Sequence, residues 1–345
     1  MDRVRFCLVG TGRAGMVHGI NITRRIKNAE LVALVDSNER SLKESGEALG
    51  VTGRHADYRE ALSGKDIDAV VVVTPTFTHA EIACYAAEQG KHIMLEKPMA
   101  ITVDECAAIN AAVKDNGVKL QLGFMRRFDP AFVRAKEIIE SGELGRVMII
   151  KSTGRGPGLP PAWTYDLSQS NGMLAEVNSH DFDTVRWLVG SDYDQVYALA
   201  ENFKCDSLRK DYPGFYDNAV VNFRLKDGTL GSIDGTCPAG YGYDARVEIL
   251  CEHGLLLVGD FKESGMTWVR RDGTSIGSAF RSWRDRFKDA YLAEMEHFVE
   301  AIVKDGEPAV TGEDGIKAVE AVIAANESIR TGRPVRLGQV KDMEC

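Results

Sequence analysis

The sequence has no Cys-x-x-Cys pair, no run of basic residues, no internal repeat and no low-complexity tract. Its seven cysteines, Cys7, Cys84, Cys106, Cys205, Cys237, Cys251 and Cys345, stand singly. An odd, unpatterned set argues against a disulfide framework or a structural zinc site and for reduced thiols. The formal net charge is −9 with no basic tail, which makes nucleic acid or an anionic membrane surface a poor partner. No apolar run approaches the roughly 18 residues that cross a bilayer. "VRFCLVG" begins at residue 4, so no secretory leader is expected ahead of it. These absences predict a soluble, cytoplasmic protein.

What is present is ordinary globular material, 345 residues of which 44% are hydrophobic and 27% charged. That length exceeds one typical core and predicts two domains. Through residue 123, short β-branched runs (4–10, 30–36, 68–74, 92–96 and 119–124) alternate with helix-like stretches (13–27, 38–49, 78–90 and 102–116). Continuous apolar strands separated by helices predict a doubly wound parallel sheet covered on both faces. Thr102 followed three residues later by Glu105 has the spacing of a capping box, and Gly117 can end that helix.

From residue 124 the texture changes. A helix after Asp129-Pro130 and a strand "RVMIIKST" precede a long loop over 154–171 and a helix-like segment over 172–189. Strands near 194–202, 216–225, 229–236, 245–251 and 254–259 then follow without intervening helices, before helices near 284–304 and 313–331. The reading is an α/β domain over 1–123 and an α+β domain over 124–345 with a mostly antiparallel sheet.

"CLVGTGRAGMVHGI" sets Gly10, Gly12 and Gly15 in G-x-G-x-x-G spacing directly after the first strand. Glycines there permit a tight turn, let a pyrophosphate approach the backbone and let helix pack closely on strand. The candidate pyrophosphate contacts are Gly10, Thr11, Gly12, Arg13, Ala14 and Gly15, at the start of a helix. Asp36, followed by Ser37, ends the second strand 21 residues after Gly15. A carboxylate there accepts ribose hydroxyls and repels a 2′-phosphate, which favours NAD over NADP. A turn or helix cap would also account for Asp36.

"HIMLEKPMA" over 92–100 ends a dry strand abruptly at Glu96-Lys97-Pro98. Ligands bind outside the carboxyl ends of strands in a doubly wound sheet. Lys97 is therefore expected beside the nicotinamide half of the cofactor, where an ammonium can hydrogen-bond a substrate hydroxyl. A solvated lysine paired with Glu96 is the alternative.

"GTGRAG", "TPTFTHAEIACYAAEQGKHIMLEKPMA", "GFMRRFDPAF" and "TGEDGIKAVEAVIAANESIRTGRPV" together resemble the glucose–fructose oxidoreductase, inositol dehydrogenase and rhizopine-catabolism family over essentially the whole chain. The resemblance implies a Rossmann domain, a second domain with an open sheet, and a catalytic Lys97. It also implies that Thr74, Pro75, Thr76 and His79 lie along the cofactor, with Glu96 beside them.

In "NGMLAEVNSHDFDTVRWLVG", Glu176 and His180 are four residues apart, which on a helix places them one turn apart on one side. A carboxylate beside an imidazole raises its basicity and suits a general base for a hydroxyl proton. A surface pair would look the same. A metal cluster is not expected. The resemblance maps the family's base onto His180 and its partner onto Glu176, with Asn171 and Glu176 standing where inositol dehydrogenases carry Gly and Asp.

Candidate substrate contacts are Lys97, Arg127, Trp163, Tyr165, Asn178, His180 and Tyr241, with Tyr243 as a neighbour of the last. Arg127 resembles the substrate-contact arginine of inositol dehydrogenases. Trp163 and Tyr165 lie in a loop long enough to act as a lid. Trp163 and Tyr165 would equally serve as core or interface aromatics, and the arginines here could pair structurally with Asp129.

The activity implied is NAD-dependent oxidation of a secondary hydroxyl of a cyclic polyol, myo- or scyllo-inositol being the type. Oxidation of a sugar or glycoside to a 3-keto sugar, with retained NAD, and a dinucleotide-sensing regulatory protein on the same scaffold are the competing expectations. A homo-oligomer, dimer or tetramer, is expected through the open sheet face.

Overall fold

The computed structural model describes residues 3–338. β1 (Val4–Val9) and β4 (Ala69–Val72) bury every residue except Arg5, as strands covered on both faces must. Between them lie β2 (Ala29–Val35) and the short β3 (Gly53–His55), and after them come β5 (His92–Leu95) and β6 (Leu120–Leu122). All six run parallel in the order β3-β2-β1-β4-β5-β6. β3 escapes sequence reading because "GRH" carries no apolar signal. The capping box at Thr102 and Glu105 forms as the spacing predicts, with Glu105 N–H donating to Thr102 Oγ1 at 3.1 Å.

The chain divides into two compact units, and the division is discontinuous. The first unit runs through Phe128 and takes in Asp289–Val319; the second comprises Asp129–Lys288 and the chain from Glu320. A single cut after residue 123 therefore does not describe it. The cause is apolar: Met295, Phe298, Val299 and Ile302 of helix Lys288–Val303 join Val4, Phe6, Leu8, Leu31 and Met94 in one core. The Phe6 and Phe298 rings lie 6.3 Å apart. Helical periodicity shows that 284–304 has an apolar face but not which sheet receives it.

The second unit is built on β7 (Val147–Arg155), β8 (Tyr193–Glu201), β9 (Asn218–Leu225), β10 (Leu230–Thr236), β11 (Asp244–Cys251) and β12 (Gly254–Val258). A two-stranded ribbon follows, β13 (Trp268–Val269) with β14 (Ser275–Ile276), and β15 (Val335–Arg336) closes the sheet edge. The order is β12-β11-β7-β10-β9-β8-β15, antiparallel except for β7 with β10. β9 alternates buried and exposed residues from Ala219 to Leu225, the pattern of a sheet covered on one face. Helix Ser179–Val189 packs on β7 from the covered side.

The segment over 172–189 is not one helix. Helix Gly172–Glu176 stops, Val177 and Asn178 form a turn, and helix Ser179–Val189 begins anew. Asn171 and Gly172 both have positive φ, +58° and +71°. Asn tolerates the left-handed region better than other non-Gly side chains, so Asn171 can take a position where Gly would be the default.

Cys7, Cys84, Cys205 and Cys251 are free thiols, and burial pushes Cys7 up to about 12. Cys345 lies outside the described residues. Among those residues no helix is long and apolar enough to cross a membrane.

Candidate active site

The first unit places its candidate groups along the carboxyl ends of its parallel strands. Gly10 follows β1 with φ +97°, and a Cβ there would lie 2.3 Å from Val73 O. A Cβ on Gly15 would lie 2.0 Å from Gly10 O, so the first helical turn needs glycine to close against the loop. Gly12 is different: a Cβ would meet nothing within 4 Å. Its absent side chain leaves space for something outside the chain. Helix Arg13–Arg24 has no side-chain cap and no acid in its first turn. Its leading N–H groups have no intrahelical acceptor and present the positive helix end. This is a cradle that suits a pyrophosphate, and the residues fit a dinucleotide.

Asp36 follows β2. Its Oδ2 accepts from Thr11 N–H at 2.9 Å and from the Thr11 hydroxyl at 2.7 Å, and its Oδ1 accepts from Asn38 N–H at 2.9 Å. The helix cap is Asn38, not Asp36. A carboxylate offers about four acceptor positions, so capacity remains for a ligand hydroxyl. Thr11 is buried, whereas Arg13 and Ser37 are exposed.

Beyond β4, Thr78 Oγ1 donates to Thr74 Oγ1 at 2.7 Å, and Thr76–Thr78 form a single 3-10 turn behind Pro75. His79 is buried and stitches this loop to the tip of β5. Its Nδ1 lies 2.8 Å from Pro98 O and its Nε2 lies 2.9 Å from Thr74 O. Burial pushes its basicity down against those two carbonyls. The Lys97-Pro98 peptide is cis. Lys97 N–H donates to Glu96 Oε2 at 3.2 Å, so Glu96 holds the lysine's backbone as well as standing near its charge.

Arg127 is engaged in this unit. Its guanidinium lies 2.9 Å from Asp314 Oδ1 with both side chains largely buried. Burial raises the Asp314 carboxyl, but the Arg127 charge and hydrogen bonds from Thr311 outweigh it and hold the group below its usual range. Asp129 in turn pairs with Arg286 at 2.6 Å in the second unit.

In the second unit, Glu176 ends one helix half-buried, and His180 lies buried in the first turn of the next. The i, i+4 relation is thus made across a turn and not on a continuous helix. Asn178 is fully buried. Its Nδ2 donates to Asp181 Oδ2 at 2.8 Å and to Gly154 O at 3.2 Å, while Ser152 Oγ donates to Asp181 Oδ1 at 2.6 Å. The Asn178 side chain thus pins the start of the His180 helix to the sheet. Gly154 and Gly235, paired in register on β7 and β10, make the niche. A Cβ on Gly235 would lie 2.1 Å from Asn178 Oδ1, and one on Gly154 2.0 Å from Asp181 Oδ2. Those two glycines gave no sequence signal because strand glycines read only as weak points.

Tyr241 is held by its own neighbours. Its hydroxyl donates to Asp244 Oδ2 at 2.6 Å and accepts from Arg155 at 3.2 Å, and Arg155 pairs with Asp234. Arg155 directly follows Gly154 on β7 and so points to the opposite face from Gly154, which faces helix Ser179–Val189. Tyr241 therefore belongs to the open face, with the sheet between it and that helix. Tyr243 is buried against Phe287.

In the 154–171 loop, Tyr165 packs edge-on against Tyr212 and Phe215 at 5.7 and 5.3 Å, and Asp166 caps helix Leu167–Ser170. Trp163 lies in the 3-10 turn Ala162–Tyr165, partly exposed.

Sequence reading missed a buried cluster. His18, Glu96 and Glu294 are all buried, with their potential ligating atoms within 4.8 Å of one another. Glu294 is invisible in sequence because it looks like one polar position of a surface helix.

Residues 4–124 match the oxidoreductase family, NAD-binding Rossmann fold, and residues 136–337 match the same family's C-terminal alpha/beta domain. The chain is 33% identical over 335 residues to the scyllo-inositol 2-dehydrogenase (NAD(+)) of Bacillus subtilis, covering 97% of this chain and 96% of that protein. It is 33% identical over 337 residues to the myo-inositol 2-dehydrogenase of Thermotoga maritima, covering 98% and 99%. The crystal structure of scyllo-inositol dehydrogenase from Lactobacillus casei with bound NAD(H) and scyllo-inositol superposes with a TM-score of 0.90 at 28% identity, covering 97% of this chain and 99% of that one.

Proposed function

The chain belongs to the oxidoreductase family with an NAD-binding Rossmann domain and a C-terminal alpha/beta domain, and from that premise we propose that it oxidises one secondary hydroxyl of an inositol-type cyclic polyol to a ketone with NAD. It is an NAD-binding enzyme acting on CH–OH groups. The observation that carries the finer reading is Lys97. It stands at the carboxyl tip of β5, in the same sheet as the glycine loop and one strand beyond β4, which presses on that loop. The names of the relatives above support the substrate class.

NAD, when held at the glycine loop and Asp36, would supply the hydride acceptor. Lys97 donates a hydrogen bond to the reacting oxygen and favours its alkoxide character. His180 removes the hydroxyl proton, and Glu176 orients the imidazole and stabilises it once protonated. Thr74, Pro75, Thr76 and Glu96 flank the cofactor, and His79 holds their loop. Trp163 offers an aromatic face to the C–H face of a ring, with Tyr165 supporting it from the Tyr212 and Phe215 cluster. Exposed Leu199, Val220, Leu230, Leu255 and Leu257 on the open sheet face support association of copies through that face.

The experiment is a panel of inositols and glucosides with NAD and NADP side by side, read by NADH absorbance. Turnover of an inositol with NAD is the expected result. Turnover restricted to glucosides, or product formed without free NADH, would replace this reading with the sugar 3-dehydrogenase one.

A further inference from the structure

His18 and Glu294 have no part in the chemistry above, yet with Glu96 they form a buried titratable cluster beside Lys97. His18 is on helix Arg13–Arg24 and is fully buried; its Nε2 lies 2.8 Å from Glu96 Oε1. Glu96 Oε2 accepts the Lys97 N–H. Both Glu96 oxygens are therefore engaged. A Cβ on Gly123 would lie 2.8 Å from Glu96 Oε2, so the glycine after β6 makes room for this carboxylate.

Glu294 approaches from helix Lys288–Val303. It is fully buried, and among the described residues neither carboxyl oxygen has a hydrogen-bond partner. Gln121 on β6 fixes this part of the helix by donating to the Glu294 backbone carbonyl at 2.8 Å. Tyr291, one turn earlier, sets its ring edge-on to His18 at 5.6 Å. The charged and titratable groups around the pair are His18, Lys97, His79 and Tyr291; the two cationic candidates that shift Glu96, His18 and Lys97, both act on Glu96.

Two carboxylates this close in a dry site cannot both be ionised. Glu96 has the hydrogen bonds that favour an anion, and Glu294 has none. We propose that Glu294 is the protonated member of a buried carboxyl pair with Glu96, and that the His18–Glu96–Glu294 triad is a positioning device that holds the backbone of Lys97. The direction of titration agrees. Burial and the Glu96 charge push Glu294 well up, whereas for Glu96 the effect of burial is outweighed by His18 and Lys97, which bring it below its usual range.

The same three side chains could be read as metal ligands. Ligand atoms bound to one metal at about 2.1 Å in tetrahedral geometry sit roughly 3.4 Å apart. The 2.8 Å contact of His18 with Glu96 is a direct hydrogen bond instead.

A raised carboxyl contributes stability that is fully present below its unfolded value and is lost as pH rises through its folded value. The wild-type protein should therefore lose thermal stability as pH rises above the unfolded carboxyl value of about 4.3, and Glu294→Gln, which cannot ionise, should lose less. Infrared spectroscopy of the full-length protein at pH 7 should show a protonated carboxylic acid band that is absent from Glu294→Gln; Glu294→Leu serves if the glutamine variant does not fold. The positioning role rests on the assignment of Lys97 under the proposed function. Its readout is the alkaline limb of kcat with NAD and an inositol, expected to move up by about one pH unit or more in Glu294→Gln.

A wild-type spectrum without that band, a band unchanged in both variants, or stoichiometric metal in the purified protein would overturn the triad. An unmoved kcat limb would overturn the positioning role. If Lys97→Ala keeps full turnover, the catalytic reading fails, while the infrared and stability results still decide the protonation of Glu294.

Discussion

Asp36 holds Thr11 by two hydrogen bonds to one carboxylate oxygen, at 2.9 Å from the backbone N–H and 2.7 Å from the hydroxyl. The acid that ends β2 thus shapes the glycine loop that follows β1, in addition to any contact with a ribose. Hydrogen bonds to a charged group contribute about 1.5–3 kcal/mol each. Asp36→Ala should raise KM for NAD by roughly 10-fold to 100-fold and narrow the preference over NADP. Initial rates with both cofactors check this, and an unchanged NAD KM counts against it.

Gly10 and Gly12 should respond oppositely to alanine. Gly10→Ala forces a Cβ to 2.3 Å from Val73 O at a φ of +97° and should destabilise the fold by about 1–3 kcal/mol. Gly12 has φ −68° and open space, so Gly12→Ala should keep Tm within about 3 °C while weakening NAD binding. Thermal melts paired with NAD titrations separate the two.

Lys97→Ala should lower kcat by about 10²- to 10³-fold, the loss seen when one electrostatic donor is removed from a reacting oxygen. NAD binding should persist. Lys97→Arg should not restore turnover, because a planar guanidinium does not replace a compact ammonium. Single-turnover kinetics with a separate measurement of NAD affinity is the test; wild-type kcat in the alanine variant would remove the assignment.

Gly235→Ala would place a methyl group 2.1 Å from Asn178 Oδ1 and displace the pin at the start of the His180 helix. The expected result is a loss of about 1–3 kcal/mol in stability and a fall in kcat with NAD affinity preserved. A variant with normal kcat would show that the niche does not govern His180.

Arg127 and Asp314 form a largely buried pair, and breaking such a pair costs about 3–5 kcal/mol. Asp314 is depressed in the folded protein, so its contribution is present above the unfolded value of about 3.9. It is lost as pH falls through the lower folded value. Urea denaturation should show Asp314→Asn less stable than wild type at pH 7, with the gap shrinking below pH of about 3.9. A gap constant down to pH of roughly 2 would mean that Asp314 contributes through packing alone.

Much of the fold was legible from periodicity. The runs at 4–10, 30–36, 68–74, 92–96 and 119–124 are β1, β2, β4, β5 and β6 to within a residue or two, because strands buried on both faces are apolar throughout. β7 to β12 of the second sheet were legible as successive strand-like runs and the Thr102 capping box from spacing alone, whereas the two-residue β15 was not. β3 was not, having three residues and no apolar side chain. The break at Val177 and Asn178 was not, because apolar periodicity continues across it.

The sequence by itself determined the local chemistry: a glycine loop before a helix, an acid after β2, a lysine at the tip of β5 and an imidazole four residues from a carboxylate. These follow from short-range spacing, and short-range spacing is all that a helix or strand period encodes. Only the tertiary structure decided which polar groups are consumed by the fold. Arg127 goes to Asp314, Tyr241 to Arg155 and Asp244 on the open face, and Asn178 to a niche made by two glycines on neighbouring strands. It also brought Glu294, 198 positions from Glu96, against the carboxylate that holds Lys97. Contacts between residues so far apart in the chain depend on which apolar faces pack together, and no local pattern specifies that choice.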